Sequence, residues 1–165
     1  MLPGIVTFLT GVASALTTTL ISASEGTAIG NMTGGGGLAA GFDSNTSQTS
    51  AAGPRGLGGL ASAQIGKDWG SGVTKTITKF ITYCPNDDGY RGDAAAISYK
   101  LQGSPNNSSW TDLYSGTLPA GSNQGATTVT AGITTTTAYR YHRINLTGNS
   151  INALNIAEVQ FFEDI

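Results

Sequence analysis

The 165-residue chain is poor in the residues on which many enzymes and metal sites depend. It has one cysteine, Cys84, and one histidine, His142, and only 8 basic and 10 acidic residues, which give a net charge of −2. A single cysteine excludes a disulfide within the chain, and we interpret Cys84 as a small buried hydrophobe in a strand. No run of basic residues is present, so the charge pattern does not favour nucleic acid as a partner.

The common catalytic patterns are missing as well. The sequence contains no nucleophile motif and no His/Cys metal cluster, and the glycine run at residues 34–37 lacks the Lys-Ser/Thr of a phosphate loop. Asp87 and Asp88 are adjacent, so on an extended strand they would point to opposite faces instead of flanking a glycosidic bond. We therefore expect binding or assembly from this chain, and no enzymatic activity.

The chain is rich in glycine, with 24 residues, and also in Thr, Ser, Asn and Ala. This composition suits β structure with many tight turns. Apolar residues alternate with polar ones over residues 73–83 and 97–102, and shorter strands are predicted at 110–114, 127–130 and from 133 onward. Strands about ten residues apart, with turn signals between them, predict an all-β sandwich.

The predicted core consists of the large apolar residues of these strands. Its expected members are Phe42, Leu60, Ile65, Trp69, Ile77, Phe80, Ile81, Tyr99, Leu101, Trp110, Leu113, Ile144, Leu146, Ile156, Val159 and Phe161. His142 is interpreted as a structural histidine, and Arg140 and Arg143 are expected to pair with acidic ends of neighbouring strands. In the last strand the apolar phase changes, which predicts a β-bulge near Ile156 and Ala157.

Residues 1–24 carry no charge, and their apolar residues fall at helical spacing from Ile5 to Leu20. We predict an N-terminal arm or helix over residues 1–24 that contacts sister subunits, a Gly-rich connector over 25–37, and a globular domain over 38–165. One alternative is that the arm packs on its own domain. Another is a membrane span over residues 5–21, but that stretch is short and diluted by threonine.

Several segments of the domain follow one another in an order typical of one family. Residues 40–48 read Ala-Gly-Phe-Asp-Ser-Asn-Thr-Ser-Gln, and residues 63–70 read Ala-Gln-Ile-Gly-Lys-Asp-Trp-Gly. These resemble the Ala-Phe-Asp-Gly-Asn-Thr and Ile-x-Val-Asp-Leu-Gly motifs of discoidin-like domains, also called coagulation-factor type C or galactose-binding-like domains. Further resemblances lie at residues 74–80, 98–104, 107–113, 139–144 and 155–161.

The resemblance covers roughly residues 38–162 and implies an eight-stranded antiparallel jelly roll, which agrees with the predicted sandwich. It also implies binding, most often to glycans. Domains of this kind with an apolar N-terminal arm are similar to structural proteins of tailed phages and gene-transfer particles. On this resemblance we expect the chain to be a virion protein at the particle surface.

The resemblance further implies a structural calcium ion, since many members hold one between the aspartate of the first motif and the glutamate of the last strand. Its ligands here would be Asp43, Asn45, Ser47 and Glu158. The chain departs from the family pattern at two positions. Ser44 replaces the glycine of the motif, and Gln48 stands where the family has a threonine five residues after the aspartate, with Thr49 one place on. In the alternative, without metal, Asp43 closes an Asx-turn and Glu158 accepts backbone hydrogen bonds.

Residues 84–93 form the richest polar segment, and Asp87, Asp88, Tyr90 and Arg91 are the candidate ligand-binding residues. A sugar has an apolar face and a hydroxyl edge, so an aromatic ring beside planar polar groups suits it. The alternative is an ordinary solvated turn with local salt bridges. The Arg-Gly-Asp triplet at residues 91–93 is too short to indicate an integrin ligand.

Three functional hypotheses follow. The first is a decoration protein of a phage-like particle, attached to sister subunits and other virion proteins through residues 1–24 and displaying a jelly roll that contacts host glycan. The second is a free or secreted carbohydrate-binding module. The third, weaker hypothesis is an adhesin anchored in a membrane through residues 5–21.

Overall fold

The computed structural model describes residues 16–49, 53–56, 62–86, 97–118, 133–147 and 154–165. These residues form eleven strands and one short 3-10 helix, Leu38–Phe42, which lies between β3 and β4. The strands are β1 (Thr18–Leu20), β2 (Thr27–Gly30), β3 (Gly34–Gly35), β4 (Pro54–Gly56), β5 (Ser62–Asp68), β6 (Lys79–Tyr83), β7 (Ile97–Ser104), β8 (Thr111–Leu118), β9 (Tyr141–Thr147), β10 (Leu154–Asn155) and β11 (Glu158–Asp164).

Every strand pairing in the described residues is antiparallel, and the strands make three sheets. The five-stranded sheet, called the long sheet below, has the strand order β2-β5-β9-β7-β8. The two three-stranded sheets have the orders β1-β11-β6 and β10-β4-β3. This arrangement confirms the predicted all-β sandwich. The described residues form eleven strands where the resemblance implies eight, and several are only two to four residues long.

Residues 16–37 contribute strands where the sequence predicted an arm and a connector. β1 pairs with β11, and β3 pairs with β4. β2 pairs with β5 as an edge strand of the long sheet. Threonines 17–19 are β-branched and favour extended backbone, and β11 offers them an open edge. Of the predicted arm, residues 1–15 lie outside the described residues. The described residues contain no helix with the length and hydropathy of a membrane span.

The predicted bulge near Ile156 is instead a change of sheet. β10 pairs with β4, whereas β11, which begins three residues later, pairs with β6 and β1. The amide of Ile156 donates to Pro54 O at 3.2 Å, and the amide of Ala157 donates to Tyr83 O at 2.8 Å. The apolar phase changes here because the two halves of the segment face the core from different sheets. A register shift does occur in the described strands between Leu101 and Gln102 of β7, opposite β8.

The core lies between the sheets and contains most of the predicted residues. Twelve of the sixteen are buried: Phe42, Ile65, Trp69, Ile77, Phe80, Tyr99, Leu101, Ile144, Leu146, Ile156, Val159 and Phe161. Leu113 packs against this cluster and is partly buried, Ile81 and Trp110 are half-buried, and Leu60 lies outside the described residues. Cys84 is buried as predicted, although it follows β6 and does not lie within it.

Candidate functional site

Residues 43–48, called the Asp43 loop, follow the 3-10 helix and are hydrogen-bonded to Glu158, the first residue of β11. The carboxylate of Glu158 accepts the amide N–H of Asp43 at Oε2 and that of Ser44 at Oε1, both at 3.2 Å. Glu158 is 1% exposed. Ser44 has a φ of 66°, a left-handed conformation that glycine adopts most readily, which explains the glycine of the family motif at this position. The structure thus brings the Asp43 loop and the final strand together.

The side chains of this loop also bond within the loop. Asp43 Oδ1 accepts the amide of Asn45 at 2.9 Å, which closes an Asx-turn, and Asn45 Oδ1 accepts the amide of Ser47 at 3.1 Å. These hydrogen bonds are the ones that the metal-free alternative predicts.

The Gln48 side chain makes the hydrogen bonds that connect the end of the loop to its beginning. From the sequence, this residue is only a departure from the family pattern. Its side-chain Nε2 donates to Asp43 Oδ1 at 2.7 Å and to Ala40 O at 2.8 Å. The residue is 4% exposed, and its Oε1 is buried without a hydrogen-bond partner among the described residues. The amide orientation is assigned from these contacts, since the opposite one would aim Oε1 at two other oxygens.

Asn86 connects this loop to the next polar segment. Its Nδ2 donates to Ser47 O at 2.7 Å, and its backbone N–H donates to Gln48 O at 3.0 Å. The residues that follow, 87–96, lie outside the described residues, and with them the predicted ligand-binding residues Asp87, Asp88, Tyr90 and Arg91. The segment that carries these residues therefore begins at a residue that is held by the Asp43 loop.

A buried lysine lies on the other side of Glu158. Lys67 is 4% exposed, its Nζ donates to Ala23 O at 2.8 Å, and the same atom lies 4.5 Å from the centroid of the Phe42 ring. Lys67 and Glu158 both line a cavity of about 20 Å³, with Ser44 and Trp69 among its other walls. Burial raises the pKa of Glu158 to about 7 and lowers the pKa of Lys67, while Coulombic attraction between the two opposes both shifts.

The predicted calcium ligands fit a metal poorly in this arrangement. Asp43 Oδ1 already accepts two N–H donors, and both oxygens of Glu158 accept backbone amides. Calcium needs six to eight oxygen ligands, whereas Asp43 Oδ1, Asn45 Oδ1 and both Glu158 oxygens of the predicted set accept N–H groups. Within the described ranges, no group of three or more His, Cys, Asp or Glu side chains is placed to hold a metal ion.

His142 lies in the core, near the start of β9. Its Nδ1 accepts the indole N–H of Trp69 at 2.8 Å, which places the imidazole proton on Nε2. Burial lowers the pKa of His142 to about 3, so the ring is neutral over the physiological range. A neutral, buried imidazole that orients a tryptophan has a structural role, as the sequence suggests.

The outward side chains of the long sheet form a hydrogen-bonded chain across four strands. Arg143 donates to Gln102 Oε1 at 2.7 Å and to Gln64 Oε1 at 2.8 Å, and Gln102 in turn donates to Asp112 Oδ1 at 2.7 Å. The guanidinium of Arg143 stacks on the ring of Trp110, 3.8 Å from its centroid. Trp110 therefore lies against this surface and outside the core in which it was predicted.

Arg143 of β9 and Arg140, which lies just before β9, bond to different partners. Arg140 makes the predicted pair with an acidic strand end, since its Nε lies 2.7 Å and its Nη2 2.9 Å from the carboxylate of Asp68. Arg143 bonds instead to two neutral amides, because the residues beside it on the outward face of the sheet are Gln64 and Gln102.

Comparisons with known proteins identify the fold. The chain is similar to the CBM62 of Clostridium thermocellum Xyl5A, with 25% identity, a TM-score of 0.56, and coverage of 84% of this chain and 94% of the other. It also resembles the family 32 CBM of C. perfringens NanJ, solved in complex with galactose, at 20% identity, a TM-score of 0.64, and coverage of 89% and 100%.

A third similar structure is the lectin domain of lectinolysin complexed with Lewis B antigen, with 16% identity, a TM-score of 0.63, and coverage of 88% and 98%. A comparison with curated proteins gives no match. The family model of the F5/8 type C domain matches residues 27–159, which is most of the chain. The chain therefore belongs to the F5/8 type C domain family.

Proposed function

We propose that this chain is a carbohydrate-binding module. The observation that carries the proposal is its membership of the F5/8 type C family, together with neighbours solved with galactose and with Lewis B antigen. Of the hypotheses drawn from the sequence, the second, a free or secreted module, fits these comparisons best.

The strand registers support a binding site at one end of the five-stranded sheet. Ser62 begins β5, Thr147 ends β9, and Ser98 and Thr117 complete the same row across the sheet. The segments at residues 57–61, 87–96, 119–132 and 148–153 all connect to strands at this end of the long sheet. Segments that leave one end of a rigid sandwich are well placed to supply a shared binding site.

We assign ligand contact to Asp87, Asp88, Tyr90 and Arg91 within the segment that starts after Asn86. The aromatic ring of Tyr90 would stack on the apolar face of a sugar, while the carboxylates and the guanidinium would bond to hydroxyl groups. The hydrogen bonds of Asn86 to Ser47 and Gln48 support this assignment, because they fix the residue from which the segment starts.

The test is a glycan array with the full chain, followed by titration calorimetry with the best ligand. Tyr90→Ala and Arg91→Ala should each weaken binding at least tenfold. Arg140→Ala is the matched control, since Arg140 lies beyond the Asp68 end of the same sheet, and it should leave affinity unchanged. A chain that binds no glycan, or variants that bind as well as the original, would contradict the proposal.

The particle-attachment role is a second candidate, and one observation favours it. β1 is an edge strand of its sheet, and the side chains of Leu16, just before the strand, and Leu20, at its end, are 72% and 47% exposed. An edge strand with exposed apolar side chains is suited to contact with another chain. Attachment to sister subunits, and with it a place on a virion, would be tested by the oligomeric state of the chain with and without residues 1–15.

A further inference from the structure

Two side chains at this site depart from the family pattern and carry N–H donors: Gln48 in the Asp43 loop and Lys67 in β5. Gln48 stands where the family has a threonine five residues after the aspartate, and Lys67 stands at the position of the valine in Ile-x-Val-Asp-Leu-Gly. Both side chains are buried, at 4% exposure each, and both lie beside the carboxylates that the resemblance assigns to calcium.

Gln48 joins two oxygens that would otherwise need a cation between them. Its Nε2 lies 2.7 Å from Asp43 Oδ1 and 2.8 Å from Ala40 O, so a single nitrogen atom fills the point between the carboxylate and the carbonyl. A calcium ion at that point would lie 2.3–2.6 Å from each oxygen, roughly where the nitrogen now is. The Gln48 amide nitrogen and a calcium ion therefore cannot occupy this point together.

The orientation of the Gln48 carboxamide has a cost in free energy, which indicates that its two donated hydrogen bonds determine it. To aim Nε2 at both acceptors, the side chain leaves Gln48 Oε1 buried without a partner among the described residues. A buried amide oxygen without a hydrogen bond is unfavourable, so the two donated bonds must outweigh it. One of them goes to an ionisable carboxylate, and such bonds are the stronger class.

Lys67 supplies the charge that the amide lacks. Its ammonium group lines the same small cavity as Glu158, and Ala23 O and the Phe42 ring hold it there. A buried carboxylate without a positive neighbour is costly, and a valine at position 67 would provide none. A lysine is rarely buried unless it is paired, so its presence here points to the same compensation.

We infer that the Gln48 carboxamide and the Lys67 ammonium together take the place of the calcium ion that the resemblance implies, so that the Asp43 loop of this chain closes without a metal. Through Asn86, the same loop fixes the start of residues 87–96. The inference does not depend on which ligand the chain binds, and its test contains no glycan.

The first measurement is the melting temperature of the full chain in 1 mM EDTA and in CaCl₂ at about 5 mM, with calorimetric titration of CaCl₂ alone. The melting temperature should agree within about 1 °C between the two conditions, and the titration should show no saturable binding. A rise of several degrees in CaCl₂, or binding of one ion per chain in the micromolar range, would overturn the inference.

The second measurement uses variants. Gln48→Leu removes both hydrogen bonds and should lower the melting temperature by about 5–10 °C, whereas Thr117→Val, on the exposed Thr117 of β8, should change it by less than about 2 °C. The double variant Gln48→Thr/Lys67→Val should be destabilised in EDTA and recover several degrees in CaCl₂. A Gln48→Leu chain as stable as the original, or a double variant indifferent to CaCl₂, would contradict the assignment of these two side chains.

Discussion

The indole N–H of Trp69 donates a 2.8 Å hydrogen bond to Nδ1 of His142, and both rings are buried. Since Nδ1 is the acceptor, the proton of the neutral ring is on Nε2, and the Tyr139 ring stands edge-on at a centroid distance of 5.9 Å. Protonation at Nδ1 would break the bond to Trp69 and place a charge in the core. The pair therefore stabilises the fold only while His142 is neutral.

This pair predicts a loss of stability in acid. Unfolded, His142 titrates near 6.5, whereas burial lowers its pKa in the folded chain to about 3. Between these values the unfolded chain binds one proton more, so the free energy of unfolding falls as pH falls, by about 1.4 kcal/mol per pH unit from this group. Urea denaturation at pH 7, 5.5 and 4 measures the slope.

The control for that slope is His142→Gln. The glutamine does not titrate, and its oxygen can accept the Trp69 indole N–H, so the variant should lose about one proton of pH dependence between pH 6.5 and 4. The remaining slope comes from carboxylates of two kinds. The pKa of Asp68 is lowered chiefly by its hydrogen bond from Arg140, whereas burial raises the pKa of Glu158 to about 7, so Glu158 adds stability as pH falls from 7 to 4.5 and opposes the His142 contribution. Equal slopes in the original chain and the variant would count against a neutral, buried His142.

The outward face of the long sheet predicts unequal roles for two basic residues. Arg143 stacks on Trp110 and bonds to two amides, so Arg143→Ala should lower the free energy of unfolding by about 1–2 kcal/mol. Among the described residues Lys100 pairs with Asp112, and both side chains are more than 40% exposed, so Lys100→Ala should cost less than about 0.5 kcal/mol. Urea denaturation of both variants at low and high salt measures the difference.

Arg143→Lys separates charge from geometry. The ammonium keeps the charge and loses the planar fork and the stacking surface, so it should recover less than half of the loss in Arg143→Ala. Full recovery by lysine would show that charge alone matters at this position.

The left-handed backbone of Ser44 predicts a stabilising substitution. At a φ of 66°, a side chain with a Cβ atom is strained, and Ser44→Gly should relieve the strain while keeping the amide bond to Glu158. After the entropy cost of glycine, the gain should be about 0.5–1 kcal/mol, or a melting temperature raised by roughly 1–4 °C. Differential scanning calorimetry is the measurement.

Two variants test the cause. Ser44→Ala keeps the Cβ atom and should give no gain, and Asn107→Gly, at a φ of 60°, should give a smaller one because asparagine tolerates this conformation. A lower melting temperature in Ser44→Gly would show that the serine side chain contributes more than its backbone costs.

The fold was predictable from the sequence where side-chain periodicity reports burial. Ile144 and Leu146 alternate with polar residues, and both are fully buried in β9. Trp110 was misplaced because a tryptophan in a short strand gives no information on which face it occupies, and its place depends on the distant Arg143. The resemblance correctly placed Glu158 beside the Asp43 loop.

The role of Gln48 could not be predicted in the same way. Its two acceptors lie five and eight residues away, and the bonds form only because the 3-10 helix turns Ala40 O toward the loop. In the sequence, Lys67 is only one residue of a strand motif. Its burial depends on Phe42 and Ala23, which lie in other parts of the chain. Polar contacts of this kind are set by tertiary structure and leave no periodic signal.

The pairing of β1 and β2 predicts how far the N-terminus can be shortened. Deleting residues 1–15 leaves Thr17 bonded to Ile165 in both directions and β1 paired with β11, so the shortened chain should keep its cooperative unfolding. Deleting residues 1–30 removes both strands, uncovers the edges of β11 and β5, and takes away the buried Ile21. That chain should lose several kcal/mol of stability or fail to remain soluble, because two sheet edges become free.

Urea denaturation and sedimentation of the two shortened chains separate the fold from assembly. If residues 1–15 contact sister subunits, the first deletion should reduce the oligomer to monomer with its unfolding midpoint nearly unchanged. A deletion of residues 1–30 that unfolds like the original chain would show that β1 and β2 are dispensable, and the domain would then begin near residue 38, as the sequence alone predicts. Loss of folding in that deletion alone would place the start of the folding unit within residues 16–30.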